Sequence, residues 1–242
     1  MQNQFDPRTT GVNAATVGVP RAARDAGLRS YMLSVYNYMA SGVLLTGIVA
    51  LLFATSGLAE QVLVTPLRWL IILAPLGFVM AMSFGLNRMK TSTLQALFWA
   101  FAVAMGLSMS SIFLVYTGVS IAQTFFAVAA GFAGLSLYGY TTKRDLSGLG
   151  TFLIMGVVGL LVAMVINIFL QSPAMMLAIS AIGVLLFAGL TAYDTQKIKS
   201  IYFAVAGNGE AMAKTAVIGA LNLYLDFINM FLFLLRFMGD RR

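Results

Sequence analysis

Two aspartates stand in this chain where an apolar sequence has little use for them. Of its eight acidic residues, Asp6, Asp25, Glu60, Asp145, Glu210 and Asp240 fall in polar tails and short connections, which leaves Asp194 at the end of one long apolar run and Asp226 inside another. A charge inside a membrane-spanning helix costs about 2.5 to 3.5 kcal/mol on insertion scales, so such residues face a bundle interior and mark a pathway or a switch. Around Asp226, Asn222 and Asn229 complete an i, i+4, i+7 series, a polar stripe on an otherwise apolar cylinder. Thr191 and Lys197 flank Asp194 at i, i+3, i+6. Two carboxylates brought together in a poorly hydrated site cannot both carry charge cheaply, so they exchange protons as a unit. That is the chemistry of a proton-operated latch, with Arg88 as the cationic partner on the same side. The same oxygens suit weak coordination of calcium, a hard cation, and too few are present for the six to eight ligands of a storage site. Calcium is therefore expected as a permeant or weakly held ion at Asp194 and Asp226, not as a cofactor. Plainer readings stay open: Asp194 as a helix-end residue held in solvent by Lys197 or Lys199, Asp226 as a structural residue, and Arg88 as an ordinary basic residue at a cytoplasmic helix end.

Other chemistries are excluded by composition. The chain contains neither cysteine nor histidine, which removes disulfides, the usual zinc and haem ligands, thiol nucleophiles and histidine general bases. The enzyme that paired membrane aspartates would suggest is an intramembrane aspartyl protease. Tyr193-Asp194 mimics the first half of its signature, but Asp226 follows Leu223, Tyr224 and Leu225 instead of the Gly-x-Gly that the second half needs, so the chain is read as no enzyme. The net charge of +7 is attributed to topology rather than to nucleic-acid binding.

These residues must be positioned by a bundle of helices. Of 242 residues, 60% are hydrophobic and 10% charged, against roughly 45 to 50% and about 25% in a soluble domain. Apolar runs at 31–55, 69–86, 94–116, 119–140, 149–170, 174–193 and 215–235 are long enough to cross a bilayer, and lipid forces such runs to be helical. The expectation is an all-α, seven-span membrane protein in three parts: a disordered polar tail over 1–29, a helical domain over 30–238 and a short tail over 239–242. Lysines and arginines gather in the amino-terminal tail and in the loops after the second, fourth and sixth runs, against only Arg68, Arg236, Arg241 and Arg242 opposite. The amino terminus is therefore expected in the cytoplasm and the carboxyl terminus outside; six spans with a re-entrant last segment is the alternative. Ala127, Gly131, Ala130 and Gly134 in the fourth run, with Gly156 and Gly159 in the fifth, are expected to let neighbouring helices approach closely. Ser108, Ser110 and Ser111 are expected in interhelical hydrogen bonds.

The stretch GLTAYDTQKIK at 189–199, with ALNLYLDFINMFLFLLRF at 220–237, resembles the signature of the Bax inhibitor-1 family of multi-pass membrane proteins. The resemblance implies a seven-helix bundle with the last helix in the centre, and membership of the bacterial branch implies an inner-membrane location. It also implies a pH-sensitive calcium leak, whose di-aspartyl sensor falls on Asp194 and Asp226 and whose latching arginine falls on Arg88 within SFGLNRMK. A glutamate found in the second helix of some relatives is absent, with Gly77 near its place. Some bacterial members modulate a membrane-bound ATP-dependent protease, which gives a rival reading as a regulatory partner acting through the amino-terminal tail; deleting residues 1–27 would separate the two. The expected partners are thus the lipid bilayer, calcium, protons and such a protease, and no nucleic acid.

Overall fold

The computed structural model describes residues 21–86 and 88–242. Nine helices occur among them: α1 (Arg21–Thr55), α2 (Leu58–Leu63), α3 (Leu67–Gly85), α4 (Thr91–Met109), α5 (Ser111–Val115), α6 (Gly118–Thr141), α7 (Ser147–Leu170), α8 (Pro173–Val205) and α9 (Gly209–Met238). Seven spans result, because α5 continues α4 across the membrane and α2 is too short to cross. Their apolar faces point outward, as lipid requires: Phe84, Phe126, Phe152, Phe169 and Leu185 are all exposed.

One helix inverts that pattern. In α9, 67% of the most apolar stretch is enclosed, against at most 39% in any other span, so the last helix is the centre of the bundle. It packs on α8, α1, α6 and α4, and Tyr224, Leu223, Val217 and Leu221 fill the interior together with Phe98 and Phe101 of α4. Tyr224 also ties three helices with one hydroxyl. Thr46 of α1 donates to the Ala102 carbonyl of α4 (2.8 Å), which leaves its oxygen to accept from Tyr224 at 2.7 Å.

Two helices outrun the apolar runs that foretell them. The first starts at Arg21, so residues 21–29, expected in the tail, are helical; residues 1–20 lie outside the described residues. The sixth span continues three turns past Tyr193 to Val205. Mutual packing explains both extensions, since Tyr202 donates to the Arg24 carbonyl (3.3 Å) and its ring lies 5.5 Å from that of Tyr31. Gly207, at φ +95°, then turns the chain into α9.

The carboxyl-terminal residues lie on the opposite face. Tyr116 and Arg241 form an antiparallel bridge, the Thr117 amide donates to the Asp240 carbonyl and the Arg242 amide to the Val115 carbonyl, both at 3.0 Å. The last helix therefore crosses instead of re-entering, as seven spans demand.

The small-residue expectation for the fourth span needs correction. The buried face of α6 is Ser120, Thr124, Val128, Phe132, Ser136 and Gly139, whereas Ala127, Ala130, Gly131 and Gly134 face outward. Close approach occurs one turn later, at Gly139, where an added Cβ would meet the Ala192 carbonyl oxygen of α8 at 2.2 Å. In α7 the expected pair divides: Gly156 abuts Leu186, whereas a Cβ at Gly159 would meet nothing within 4 Å. Ser110 sits where α4 gives way to α5 and donates to its own Leu107 carbonyl at 2.7 Å, not to another helix.

Candidate proton and ion site between the last two spans

The site is set by the antiparallel packing of α8 and α9. Two glycines fix its register: a Cβ at Gly219 would stand 3.2 Å from Ile198, and one at Gly183 would stand 2.6 Å from the Phe233 ring. Interpolating between these crossings places Asp194 level with Asn222 and Leu223, and Asp226 level with Leu190 and Thr191. The aspartates are thus separated by about one turn, roughly 5 Å, along the helix axes. Continuation of α8 past Lys199 to Val205 leaves Asp194 about 16 Å inside the helix end instead of at its edge.

Their surroundings differ. Asp226 is 4% exposed, and its Oδ2 has no hydrogen-bond partner among the described residues. Asp194 is half-buried, and Lys197, one turn further along α8, leans its exposed ammonium over the Tyr193 ring at 5.8 Å from its centroid. A buried, unsatisfied carboxyl oxygen beside a second carboxyl group is costly to keep and suits a site that exchanges protons or cations.

The supporting polar residues are placed unequally. Thr191 is fully buried and donates to the Phe187 carbonyl at 2.8 Å. Asn222 is half-buried at the level of Asp194. Asn229 turns its amide back on the Leu225 carbonyl (2.8 Å), so its place on the stripe is satisfied within its own helix. Arg88 is not brought to the aspartates. It is exposed in the turn after α3, a helix packed on α4 and α2, and it forms no ion pair among the described residues. The position of α3 at the periphery therefore removes the expected latch from this conformation. Among the described residues no group of three or more acidic side chains gathers into a metal cluster.

One arrangement escaped the sequence reading. Thr195 donates to the Thr191 carbonyl (2.8 Å), so it accepts from Ser136 of α6 at 2.9 Å, and Ser136 in turn accepts from Tyr36 of α1 at 2.5 Å. This directed chain of hydroxyls binds α1, α6 and α8 next to Asp194. Its only signal in the sequence is the hydroxyl residues themselves, Tyr36 and Ser136 inside apolar runs and Thr195 two residues past the end of a third.

The comparisons with known proteins agree with this architecture. The family model for the inhibitor of apoptosis-promoting Bax1 matches residues 28–242. A protein of Rickettsia prowazekii is 48% identical over 90% of this chain and 92% of its own. A protein of Caulobacter vibrioides is 46% identical over 90% and 91%. The inner membrane protein YbhL of Escherichia coli is 46% identical over 90% and 94%. A family match over nearly all the described residues, and relatives this similar over nine-tenths of the chain, place the protein in the Bax inhibitor-1 family.

Proposed function

We propose that this protein is a proton-regulated calcium leak of a bacterial inner membrane, that it catalyses no covalent reaction, and that Asp194 and Asp226 are its paired proton-sensing and cation-handling groups. The observation that carries the reading is Asp226: a carboxyl group 4% exposed in the central helix, one oxygen unpartnered, one turn from a second aspartate. A carboxyl group in that position has no packing purpose that an apolar side chain would not serve better.

The geometry also suggests what holds the path shut. Beyond Asp226 towards the carboxyl-terminal face, Phe227 meets Phe125 and Phe132 edge-on, with centroids 5.5 Å and 5.6 Å away. A cavity of about 290 Å³ between α1, α6 and α9 opens on the far side of these rings. Protonation of the aspartate pair changes the charge directly below the rings and so shifts the balance between closed and open packings. The inner-membrane location is supported by the name of the Escherichia coli relative, and the cytoplasmic amino terminus by the distribution of lysine and arginine.

Calcium flux into proteoliposomes tests this, with wild type beside Asp194→Asn and Asp226→Asn at about pH 6 and about pH 8. The reading expects a wild-type leak that changes with pH and a loss of that dependence in both variants. Folded wild-type protein that gives no flux above empty liposomes at either pH would refute it. The regulatory-partner reading, in which the protein modulates a membrane-bound ATP-dependent protease, would then take its place.

A further inference from the structure

The carboxyl-terminal face carries few cations, yet two of them converge. Arg236, in the last turn of α9, and Arg241, in the bridged segment after it, line a pocket of about 530 Å³ with Asn167, Gln171 and Ser172. Neither arginine forms an ion pair among the described residues. Each lies over an aromatic ring, Arg236 over Phe233 and Arg241 over Tyr116, with 5.9 Å to the centroid in both cases. No carboxylate lines the pocket. Asp240 is next to Arg241 in the chain, but it is exposed and its backbone is turned to α6, where its amide donates to Ser120 at 2.9 Å. The α8 helix begins at the same pocket, Ser172 capping it and Pro173 opening it, and adds the positive end of a 33-residue helix.

Directly beneath runs an apolar groove of about 330 Å³ between α7 and α8. Leu160, Ala163 and Asn167 follow one another on a single face of α7 and Gln171 caps its end, so the groove and the polar pocket are stacked, with about 6 Å of rise from Ala163 to Asn167. Small residues keep the groove open: Gly156, Gly159, Ala163 and Ala178 line it.

A positive pocket above an apolar furrow has the shape and polarity of one kind of molecule. We propose that this face binds an anionic phospholipid, its phosphate between Arg236 and Arg241 and one acyl chain along the α7–α8 groove. A second copy of the chain fits poorly, since it would bring the same two positive charges against this pocket. Charge complementarity selects a lipid of net negative headgroup over a zwitterionic one, whose own cation would face the arginines.

Native mass spectrometry of the full chain in detergent tests the assignment, with phosphatidylglycerol and phosphatidylcholine supplied at equal concentration. Wild type is expected to retain phosphatidylglycerol preferentially. Arg241→Gln should lower that preference about fivefold and the Arg236→Gln/Arg241→Gln pair on the order of 25-fold, from roughly 1 kcal/mol per arginine near a charged lipid surface. Gly159→Leu, which fills the groove, should reduce retention of both lipids and leave their ratio unchanged. Equal retention by wild type, or a preference that survives in the double variant, overturns the site. Displacement of phosphatidylglycerol by an equal concentration of inorganic phosphate would show a free-anion site and overturn the lipid. Because Arg241 is exposed, its single variant keeps the test decisive even if the double variant fails to fold.

Discussion

The contact between α6 and α8 at Gly139 makes the sharpest prediction. An alanine Cβ there would sit 2.2 Å from the Ala192 carbonyl oxygen and 2.9 Å from its carbon, where ordinary contact begins at 3.4 Å. Both obstructing atoms are backbone, so relief requires the helices to part by about 1.2 Å, the difference between 3.4 Å and 2.2 Å. One turn away, the same displacement stretches the Ser136–Thr195 hydrogen bond from 2.9 Å beyond bonding range. Overpacking of this kind costs about 1 to 3 kcal/mol and a lost interhelical hydrogen bond about 0.6 kcal/mol. Set against alanine's helix preference of up to about 1 kcal/mol, Gly139→Ala should therefore still lose roughly 0.6 to 3.6 kcal/mol in equilibrium unfolding in mixed micelles, followed by far-ultraviolet circular dichroism. Gly131→Ala is the matched control: it lies on the same helix, an added Cβ meets nothing within 4 Å, and alanine's helix preference predicts no loss or a gain of up to about 1 kcal/mol. If Gly139→Ala unfolds within about 0.5 kcal/mol of wild type, or if Gly131→Ala loses as much, close backbone approach at Gly139 does not hold α6 to α8.

Two further outcomes follow from single hydrogen bonds. Tyr224→Phe removes the donor to Thr46 without changing the ring and should cost about 0.6 and at most about 1.7 kcal/mol in the same assay, whereas Thr46→Val, which also abandons the Ala102 carbonyl, should cost more. Asp145, in the loop before α7, accepts the Ser147 amide at 2.9 Å, and that bond holds its carboxyl group below the usual carboxylate range. A depressed value in the folded state means that the contribution is present above the unfolded carboxylate range and is lost as pH falls through the folded value. The stability difference between wild type and Asp145→Ala should accordingly shrink at low pH, and a difference independent of pH would contradict the assignment.

Hydropathy made the seven spans legible because lipid leaves apolar segments of this length no other structure. It failed where helices leave the bilayer. Lys197 and Lys199 count with the loop after the sixth run, yet they sit on a helix that continues to Val205 because Ile198 and Tyr202 pack against α9 and α1. The importance of Asp194 and Asp226 was readable from residue type alone. Their proximity was not, since it depends on the register that two glycine crossings far apart in sequence impose. Arg88 stands unpaired among the described residues for a related reason: position in the chain shows which side of the membrane a residue occupies, but not which neighbour its helix chooses. The small-residue motif of α6 misled because spacing of four marks a smooth face and says nothing of whether protein or lipid covers it.

The central position of α9 constrains how the molecule is made. Six spans precede it in the chain, and four of them, α1, α4, α6 and α8, lack a shared central neighbour until α9 is threaded between them, whereas α3 and α7 pack on α4 and α8 instead. At about 5 to 20 residues per second, synthesis of the 30-residue helix occupies on the order of seconds. Throughout that interval the earlier spans remain an unfinished shell whose inward faces can meet lipid, the insertion machinery or each other, but not their final partner. Completion of the interior that α1, α4, α6 and α8 enclose is therefore postponed to the last stage of translation, when the central helix arrives.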